Sequence, residues 1–107
     1  MFIIFIIHFL ISCSGTTYVD EANQALHNHD LSKAEQLFRK AIKKNPKDIE
    51  AITGLAWTYQ LAGEKNTAEE LFNRCLQLDS YNADCLRGKA SVHLSMGNTI
   101  IARELIL

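Results

Sequence analysis

Cysteine, histidine and acidic side chains are the residues of this chain that could do chemistry, but their spacing fits no catalytic or metal site. The chain has three cysteines, and none stands in a CxxC or Cys/His grouping of the kind that binds zinc. His27 and His29 are two residues apart, so they do not share one helical face. No Ser or Cys nucleophile with an orienting acid can be assigned to His93. The sequence therefore predicts a non-catalytic protein with no metal and no cofactor.

The amino-terminal segment differs in composition from the rest of the chain. Residues 1–17 contain no Asp, Glu, Lys or Arg, whereas charged residues occur throughout the remainder. Phe2 to Ile11 form a run of about ten apolar residues, roughly half of the length that a helix needs to cross a bilayer. This length and position are typical of the hydrophobic region of a signal peptide.

The residues that end this segment, Leu10, Ile11, Ser12 and Cys13, resemble the lipobox of bacterial lipoproteins. The resemblance implies a signal peptide at residues 1–12, lipidation of Cys13 and a short linker at residues 13–17. It also implies a protein anchored in the bacterial cell envelope and facing the periplasm, with the outer membrane as the favoured membrane. The alternatives are a buried capping helix or a short membrane-embedded tail, and a cytoplasmic location.

The two remaining cysteines have two interpretations. Cys75 falls in a helical pattern where a small apolar residue is expected, so we expect a buried thiol that acts as a compact hydrophobe. The alternative is a disulfide between Cys75 and Cys85, which the oxidising periplasm of a lipoprotein would favour.

From Tyr18 onward, residues of the same kind recur at a fixed spacing of thirty-four residues, which we call the repeat spacing. It separates Ala22 from Ala56 and Ala56 from Ala90. Four further series of small or bulky apolar residues share this spacing and the same register. They are Ala34, Ala68 and Ala102; Leu37, Leu71 and Leu105; Phe38, Phe72 and Ile106; and Tyr18, Ile52 and Leu86. Such a recurrence predicts an array of stacked units rather than one globular core.

Each unit reads as two amphipathic helices joined by a short turn, because apolar residues recur at helical spacing in two runs. Asp30 and Asp48 are expected to cap helices, and Gly63 is expected to make a tight turn at positive φ. Thr67 and Glu70 have the spacing of a capping box. In the first unit the residues expected to face inward are Tyr18, Ala22, Ala25, Leu26, Leu31, Ala34, Leu37, Phe38, Ala41 and Ile42. In the second unit they are Ile52, Leu55, Ala56, Tyr59, Leu71, Phe72, Cys75, Leu76 and Leu78.

The repeat resembles the tetratricopeptide repeat, whose signature is a large apolar residue, Leu with a small residue, an aromatic, and later Ala, Phe, Ala and Pro. The central copy matches at Ile52, Leu55, Ala56, Tyr59, Ala68 and Phe72. The resemblance implies an all-α solenoid of helical hairpins with about three repeats, the last one incomplete, at residues 18–46, 49–80 and 83–107.

The resemblance also implies a binding groove for protein or peptide partners, lined by the first helix of each pair. The groove residues that it implies are Asn23, Leu26, His27, Glu50, Thr53, Trp57, Gln60, Asp84, Arg87, Ser91 and Leu94. Trp57 is the expected anchor of a partner, and the alternative is that it packs against the adjoining helix.

Some family members hold the terminal carboxylate of chaperones through two Asn and three basic residues on this groove. Asn23 matches one of these five positions, and the others hold Val19, Gly54, Asp84 and Gly88. The pattern therefore argues against that activity.

Composition favours a folded module and argues against a nucleic-acid partner. The chain is 48% hydrophobic and 21% charged, with a formal net charge of -1, so a basic nucleic-acid footprint is absent from the sequence. The densest basic run extends from Arg39 to Lys47 around the predicted end of a helix, where cations interact favourably with the helix dipole.

The third unit ends on apolar residues without a polar capping helix. They are Ile100, Ile101, Leu105, Ile106 and Leu107. We therefore expect either a fragment of a longer array or self-association through this end.

Together these inferences predict a non-catalytic adaptor or scaffold that is lipid-anchored in the bacterial envelope. Families of this build include assembly factors for pili and secretion channels, and regulators of envelope proteins. The alternatives are an intracellular scaffold with an apolar amino-terminal anchor and a fragment of a larger protein that contains these repeats.

Overall fold

The computed structural model of the chain describes residues 17–106, which fold into six α-helices without a strand. The helices are α1 (Tyr18–His27), α2 (Leu31–Lys44), α3 (Ile49–Leu61), α4 (Lys65–Leu78), α5 (Ala83–Ser95) and α6 (Thr99–Ile106). They confirm the prediction of an all-α fold of helical hairpins. The predicted signal peptide at residues 1–12, the lipidation site at Cys13, the linker up to residue 16, and Leu107 lie outside the described residues.

The helices stack in chain order, each packed against the next. The first helices of the hairpins also contact one another in series, α1 with α3 and α3 with α5. In residues 17–106, α2, α4 and α6 make no comparable contact among themselves. Because the first helices lie closer together than the second ones, the array curves so that α1, α3 and α5 line its concave side.

The turn inside each hairpin has one geometry that recurs at the repeat spacing. His29, Gly63 and Gly97 all adopt positive φ, at 59°, 83° and 81°. The next residue in each turn donates its amide to a carbonyl five residues earlier, as a Schellman motif does. The bonds are Asp30 N to Ala25 O at 2.8 Å, Glu64 N to Tyr59 O at 2.9 Å, and Asn98 N to His93 O at 2.7 Å. The positive φ predicted for Gly63 is thus confirmed, and His29 takes the glycine position of the first hairpin.

Side-chain caps begin most of the helices. Asp30 accepts from Lys33 N at 3.2 Å and Asp48 accepts from Ala51 N at 3.1 Å, which confirms both predicted caps. The capping box predicted at residues 67 and 70 is wrong, since α4 begins two residues before Thr67. Its N-cap is Glu64, whose side chain makes no capping hydrogen bond. The box that does form joins Thr17 and Asp20 at the start of α1.

The alanine series lie in equivalent buried environments, as predicted. Ala22, Ala34, Ala56, Ala68, Ala90 and Ala102 are all buried. Alanine here lets the two helix backbones approach closely, and a larger side chain would force them apart. The recurrence in the sequence therefore corresponds to a recurring contact between helices.

Two inward assignments at helix ends are wrong. Tyr18 is 36% exposed and Leu78 is 41% exposed, although both were predicted to face the core. At the start of α1 the buried residue is Val19. Ile106 likewise leaves its series, because Phe38 and Phe72 are fully buried whereas Ile106 is 64% exposed.

The contact between successive hairpins is an aromatic ring set against a glycine. A Cβ atom built on Gly54 would lie 2.2 Å from the Phe38 ring, and one built on Gly88 would lie 2.1 Å from the Phe72 ring. Both rings are fully buried. Each phenylalanine belongs to the second helix of a hairpin and each glycine to the first helix of the next, so this pair joins one hairpin to its neighbour.

Substitution of Gly54 by Ala has two opposing effects on the free energy of unfolding. At an open helical position Ala stabilises by about 1 kcal/mol relative to Gly. Overpacking against Phe38 is expected to outweigh that gain and to lower the free energy of unfolding by about 1–3 kcal/mol. Urea denaturation followed by circular dichroism measures the difference. In a Phe38→Leu background the loss should shrink, and an unchanged loss would contradict the proposed contact.

His29→Gly is expected to stabilise the protein, because a non-glycine residue at positive φ is strained. The expected gain in the free energy of unfolding is about 0.5–1 kcal/mol, since glycine also adds flexibility to the unfolded chain. The matched control is Asn28→Gly, where the backbone φ is -84° and no strain is relieved. Thermal unfolding of the two variants should move in opposite directions, and a gain shared by both would contradict this explanation.

Candidate functional site

A pocket of about 560 Å³ opens on the concave side of the array, between α1, α3 and α5. We call it the groove, and its lining residues are Asn23, Leu26, Ile49, Glu50, Thr53, Gly54, Trp57, Asn82, Asp84 and Arg87. The structure thus brings together seven of the eleven residues predicted for a groove. Three lining residues, Ile49, Gly54 and Asn82, were not among the predicted ones.

Two carboxylates stand in the groove, one in the first turn of α3 and one in the first turn of α5. Acidic side chains are stable in a first helical turn because the helix dipole is positive there. Glu50 Oε1 accepts a hydrogen bond from Asn23 Nδ2 at 3.3 Å, which links α3 to α1. Asp84 forms an ion pair with Arg87 one turn further along α5. Since the groove lining holds two acids and one base, it carries a net negative charge.

Trp57 has both of the roles considered from the sequence. Its ring meets Phe72 edge-on, with the ring centroids 5.3 Å apart and the planes at 77°. The side chain is only partly buried and forms part of the groove lining. The core therefore holds the Trp57 ring in place, and the ring presents an aromatic surface and an indole N–H donor to the groove.

The other four predicted groove residues lie nearer the carboxyl-terminal ends of the same helices, outside this pocket. Gln60 Nε2 donates to Ser91 Oγ at 3.4 Å, so these two side chains connect α3 with α5. The Gln60 Oε1 atom is buried without a hydrogen-bond partner. His27 and Leu94 are exposed. The concave side thus has a carboxylate-bearing end and a more neutral end.

A disulfide joins Cys75 and Cys85 behind the groove wall, with the Cα atoms 6.3 Å apart. The expectation of a free buried thiol at Cys75 is therefore wrong, and the alternative pairing is the one that the structure contains. The bond links the last turn of α4 to the first turn of α5. Thr53 Oγ1 lies 3.1 Å from Cys85 Sγ, so the disulfide sits against a groove residue. The link fixes the part of α5 that presents Asp84.

Pairs of polar side chains cross the interfaces between hairpins, and they too recur at the repeat spacing. Tyr59 Oη donates to Glu35 Oε1 at 2.8 Å, and Arg39 donates to both of these side chains. One unit later, His93 Nε2 lies 2.8 Å from Glu69 Oε1. His93 is buried and holds a structural position equivalent to that of Tyr59.

The first of these networks shifts the pKa values of its members. The hydrogen bond from Tyr59 lowers the pKa of Glu35, against a smaller opposing effect of burial and with further lowering by Arg39. Burial raises the pKa of Tyr59, and its bond to Glu35 adds to that shift. Both shifts favour the hydroxyl as donor and the carboxylate as acceptor at neutral pH. The network therefore serves to hold α2 against α3.

Neither metal ligation nor membrane spanning is indicated in the described part of the chain. Within residues 17–106, no three or more Cys, His, Asp or Glu side chains gather as metal ligands would. No helix in that range has the length and hydrophobicity that a membrane span requires.

The sequence of these hairpins matches a known protein family over part of its length. A family model described as Tetratricopeptide repeat matches residues 25–74. Residues 25–74 are therefore similar to tetratricopeptide repeats. The matched range runs from the last turns of α1 through most of α4, and it includes the groove residues Glu50, Thr53 and Trp57. Tetratricopeptide repeats are generally a protein-interaction fold.

The structure adds a physical argument against a chaperone carboxylate in this groove. Of the positions that some tetratricopeptide repeats use for this purpose, Val19 is buried. Gly54 and Gly88 accommodate the rings of two phenylalanines. Asp84 carries the same sign as the ligand. These positions therefore supply packing or negative charge where a carboxylate would need cations.

Proposed function

We propose that the chain is a non-catalytic adaptor that holds a segment of another protein in the groove while its amino terminus is anchored to a bacterial membrane. The proposed binding of a partner rests on the groove lining, which combines an aromatic surface with hydrogen-bonding groups on three helices. Trp57 and Leu26 offer apolar contact area, and Glu50, Thr53 and Arg87 offer polar contacts around them. Interfaces are commonly built this way, with a few large anchors surrounded by polar groups.

The shape of the site favours a peptide segment over a small molecule. The groove crosses α1, α3 and α5 on an open concave surface, so a ligand in it would contact three successive helices. Small-molecule sites, by contrast, usually enclose most of the ligand surface. An extended stretch of another protein fits such a groove, with side chains spaced to meet successive repeats.

The membrane half of the proposal rests on the amino-terminal sequence. Leu10, Ile11, Ser12 and Cys13 have the lipobox pattern, and Cys13 would carry the lipid. The Cys75–Cys85 disulfide supports an oxidising compartment, since such bonds are rare in the cytosol. In the periplasm the protein would serve as an assembly factor for pili or secretion channels, or as a regulator of envelope proteins.

An intracellular scaffold with an apolar amino-terminal anchor is the second candidate, because the lipobox pattern rests on only four residues, Leu10 to Cys13. In that case residues 1–17 would be a short anchor, and the repeats would bind the same class of partner inside the cell.

Site-specific photocrosslinking in a bacterial host tests the groove. A photoreactive residue at Glu50 or Asp84 should give a discrete crosslinked adduct, because both side chains are exposed in the groove. The matched control positions are Glu64 and Gln77, which are exposed but lie outside the groove lining. Adducts of equal yield from all four positions, or from the controls alone, would contradict a groove-bound partner.

Mass spectrometry of the mature amino terminus tests the anchor. Purified from membranes, the protein should lack residues 1–12 and begin with a Cys13 that carries diacylglyceryl and acyl groups. A Cys13→Ala variant should keep the amino-terminal segment, since the lipid acceptor thiol is gone. An intact Met1 on the wild-type protein would rule out the lipoprotein and favour the intracellular scaffold.

A further inference from the structure

The outer side of α2 concentrates positive charge in a chain that is almost neutral overall. The helix contains five of the eleven Lys and Arg residues and one acidic residue, in a chain of net charge -1. Lys33, Lys40 and Lys44 are spaced seven and four residues apart, which places them in one stripe along the helix. All three are exposed, and so is Lys43 beside them. Glu35 points elsewhere, because it is bound to Tyr59 and Arg39.

The equivalent positions one unit later continue this surface with a different composition. At the repeat spacing, Arg74 corresponds to Lys40, Leu78 to Lys44, and Tyr81 to Lys47. Leu78 is 41% exposed and Tyr81 is 90% exposed. We call the residues Lys40, Lys43, Lys44, Arg74, Leu78 and Tyr81 the outer face. Three acids lie near it. Glu70 and Asp79 are exposed, and Asp79 accepts hydrogen bonds from Tyr81 N and Asn82 Nδ2. Asp48 lines one pocket with Tyr18 and Lys44.

Cations mixed with exposed aromatic and aliphatic side chains are the composition that proteins present to the headgroup region of a bilayer. Lysine and arginine attract anionic lipids, and tyrosine settles between the apolar and aqueous layers. Tyr18 adds to this composition, since the centroid of its half-exposed ring lies 4.9 Å from Lys44 Nζ and 5.8 Å from Lys40 Nζ. The lysines at the end of α2 therefore contribute to this mixed surface as well as interacting favourably with the helix dipole.

The outer face lies near the point where a membrane anchor would enter the repeats. Cys13 precedes Tyr18 by five residues, which span at most about 17 Å when fully extended. Because the Tyr18 ring lies against Lys40 and Lys44, an anchor at Cys13 would keep these lysines close to the bilayer. Charges act over a Debye length of about 10 Å at 0.1 M salt, so the short connection matters.

We propose that the outer face docks on anionic phospholipid headgroups, with the groove turned away from the membrane toward its partner. The inference rests on the membrane attachment in the proposed function and adds the orientation of the repeats. A basic surface next to a hydrophobic anchor gives stable membrane binding where either alone is weak. The outer face lies on second helices and the turn that follows them, whereas the groove lies on first helices except for Asn82, which shares its turn with Tyr81.

Vesicle flotation tests this docking with the protein purified from membranes, which the proposed function expects to begin at a lipidated Cys13. The variant Lys40→Gln/Lys43→Gln/Lys44→Gln removes three charges from the outer face. Its control, Lys65→Gln/Lys89→Gln/Arg103→Gln, removes the same charge elsewhere. On phosphatidylcholine vesicles with about 30% phosphatidylglycerol, the outer-face variant should lose about fivefold in partitioning per lysine, and the control should stay close to wild type. On pure phosphatidylcholine both variants should match the wild type, and about 0.5 M NaCl should abolish the difference between lipids.

The outcomes separate the docking from the anchoring. If the wild-type chain floats equally with both lipid mixtures, or if the two triple variants lose binding equally, the docking is overturned while the anchor stands. A wild-type chain that floats with neither mixture contradicts the anchor and the docking together. The outer-face variant could instead float normally but no longer crosslink to an acidic protein that the wild type contacts outside the groove. The outer face would then be a protein contact, and the lipid proposal would be wrong. The circular dichroism melt of the outer-face variant should match that of the wild type, because its three substituted lysines are exposed.

Discussion

The stacking of a phenylalanine ring against a glycine backbone is the contact on which the rest of the molecule depends. Phe38 and Phe72 are fully buried, and each fills the space that a side chain at Gly54 or Gly88 would occupy. A ring is wide and rigid, so it sets both the distance and the rotation between one hairpin and the next. Because the contact recurs at the repeat spacing, every hairpin is added to the array in a similar way, and curvature follows from the repetition.

The groove is a product of that repetition. First helices placed at a regular interval bring the first turns of α3 and α5 to one side, where Glu50 and Asp84 occupy equivalent positions. The same ring that joins the hairpins also supports the groove, since Phe72 packs against the edge of Trp57. The groove and the structural core therefore share an aromatic pair. The groove presents a rigid indole, a few hydrogen-bonding groups and a modest negative charge.

Much of this architecture could be predicted from the sequence because it follows from local rules. Asp30 and Asp48 were expected as caps, and Gly63 was expected in a turn of positive φ, since each depends only on a few neighbouring residues. The spacing of the alanines indicated the register of the array. The resemblance to the tetratricopeptide repeat then implied which residues line a groove, and seven of them do line it.

Other features could not be predicted, because they depend on how the helices pack in three dimensions, which the periodicity of the sequence does not specify. Tyr18 and Leu78 lie at helix ends, where a side chain can extend past its neighbours even though its position points inward. A glycine inside a helix gives no pattern of its own, although Gly54 follows Phe38 at the same separation as Gly88 follows Phe72, which could have revealed the contact. The Cys75–Cys85 pairing required the rotation of α5 about its own axis, which only the packed structure supplies.

The disulfide also changes how such an array can come apart. A solenoid whose units touch only their neighbours tends to fray from its ends, one hairpin at a time. The covalent bond between α4 and α5 couples the last hairpin to the middle one, so the third unit cannot drift away while the second remains folded. When the third hairpin opens, the first turn of α5, which carries Asp84, therefore stays tethered to α4.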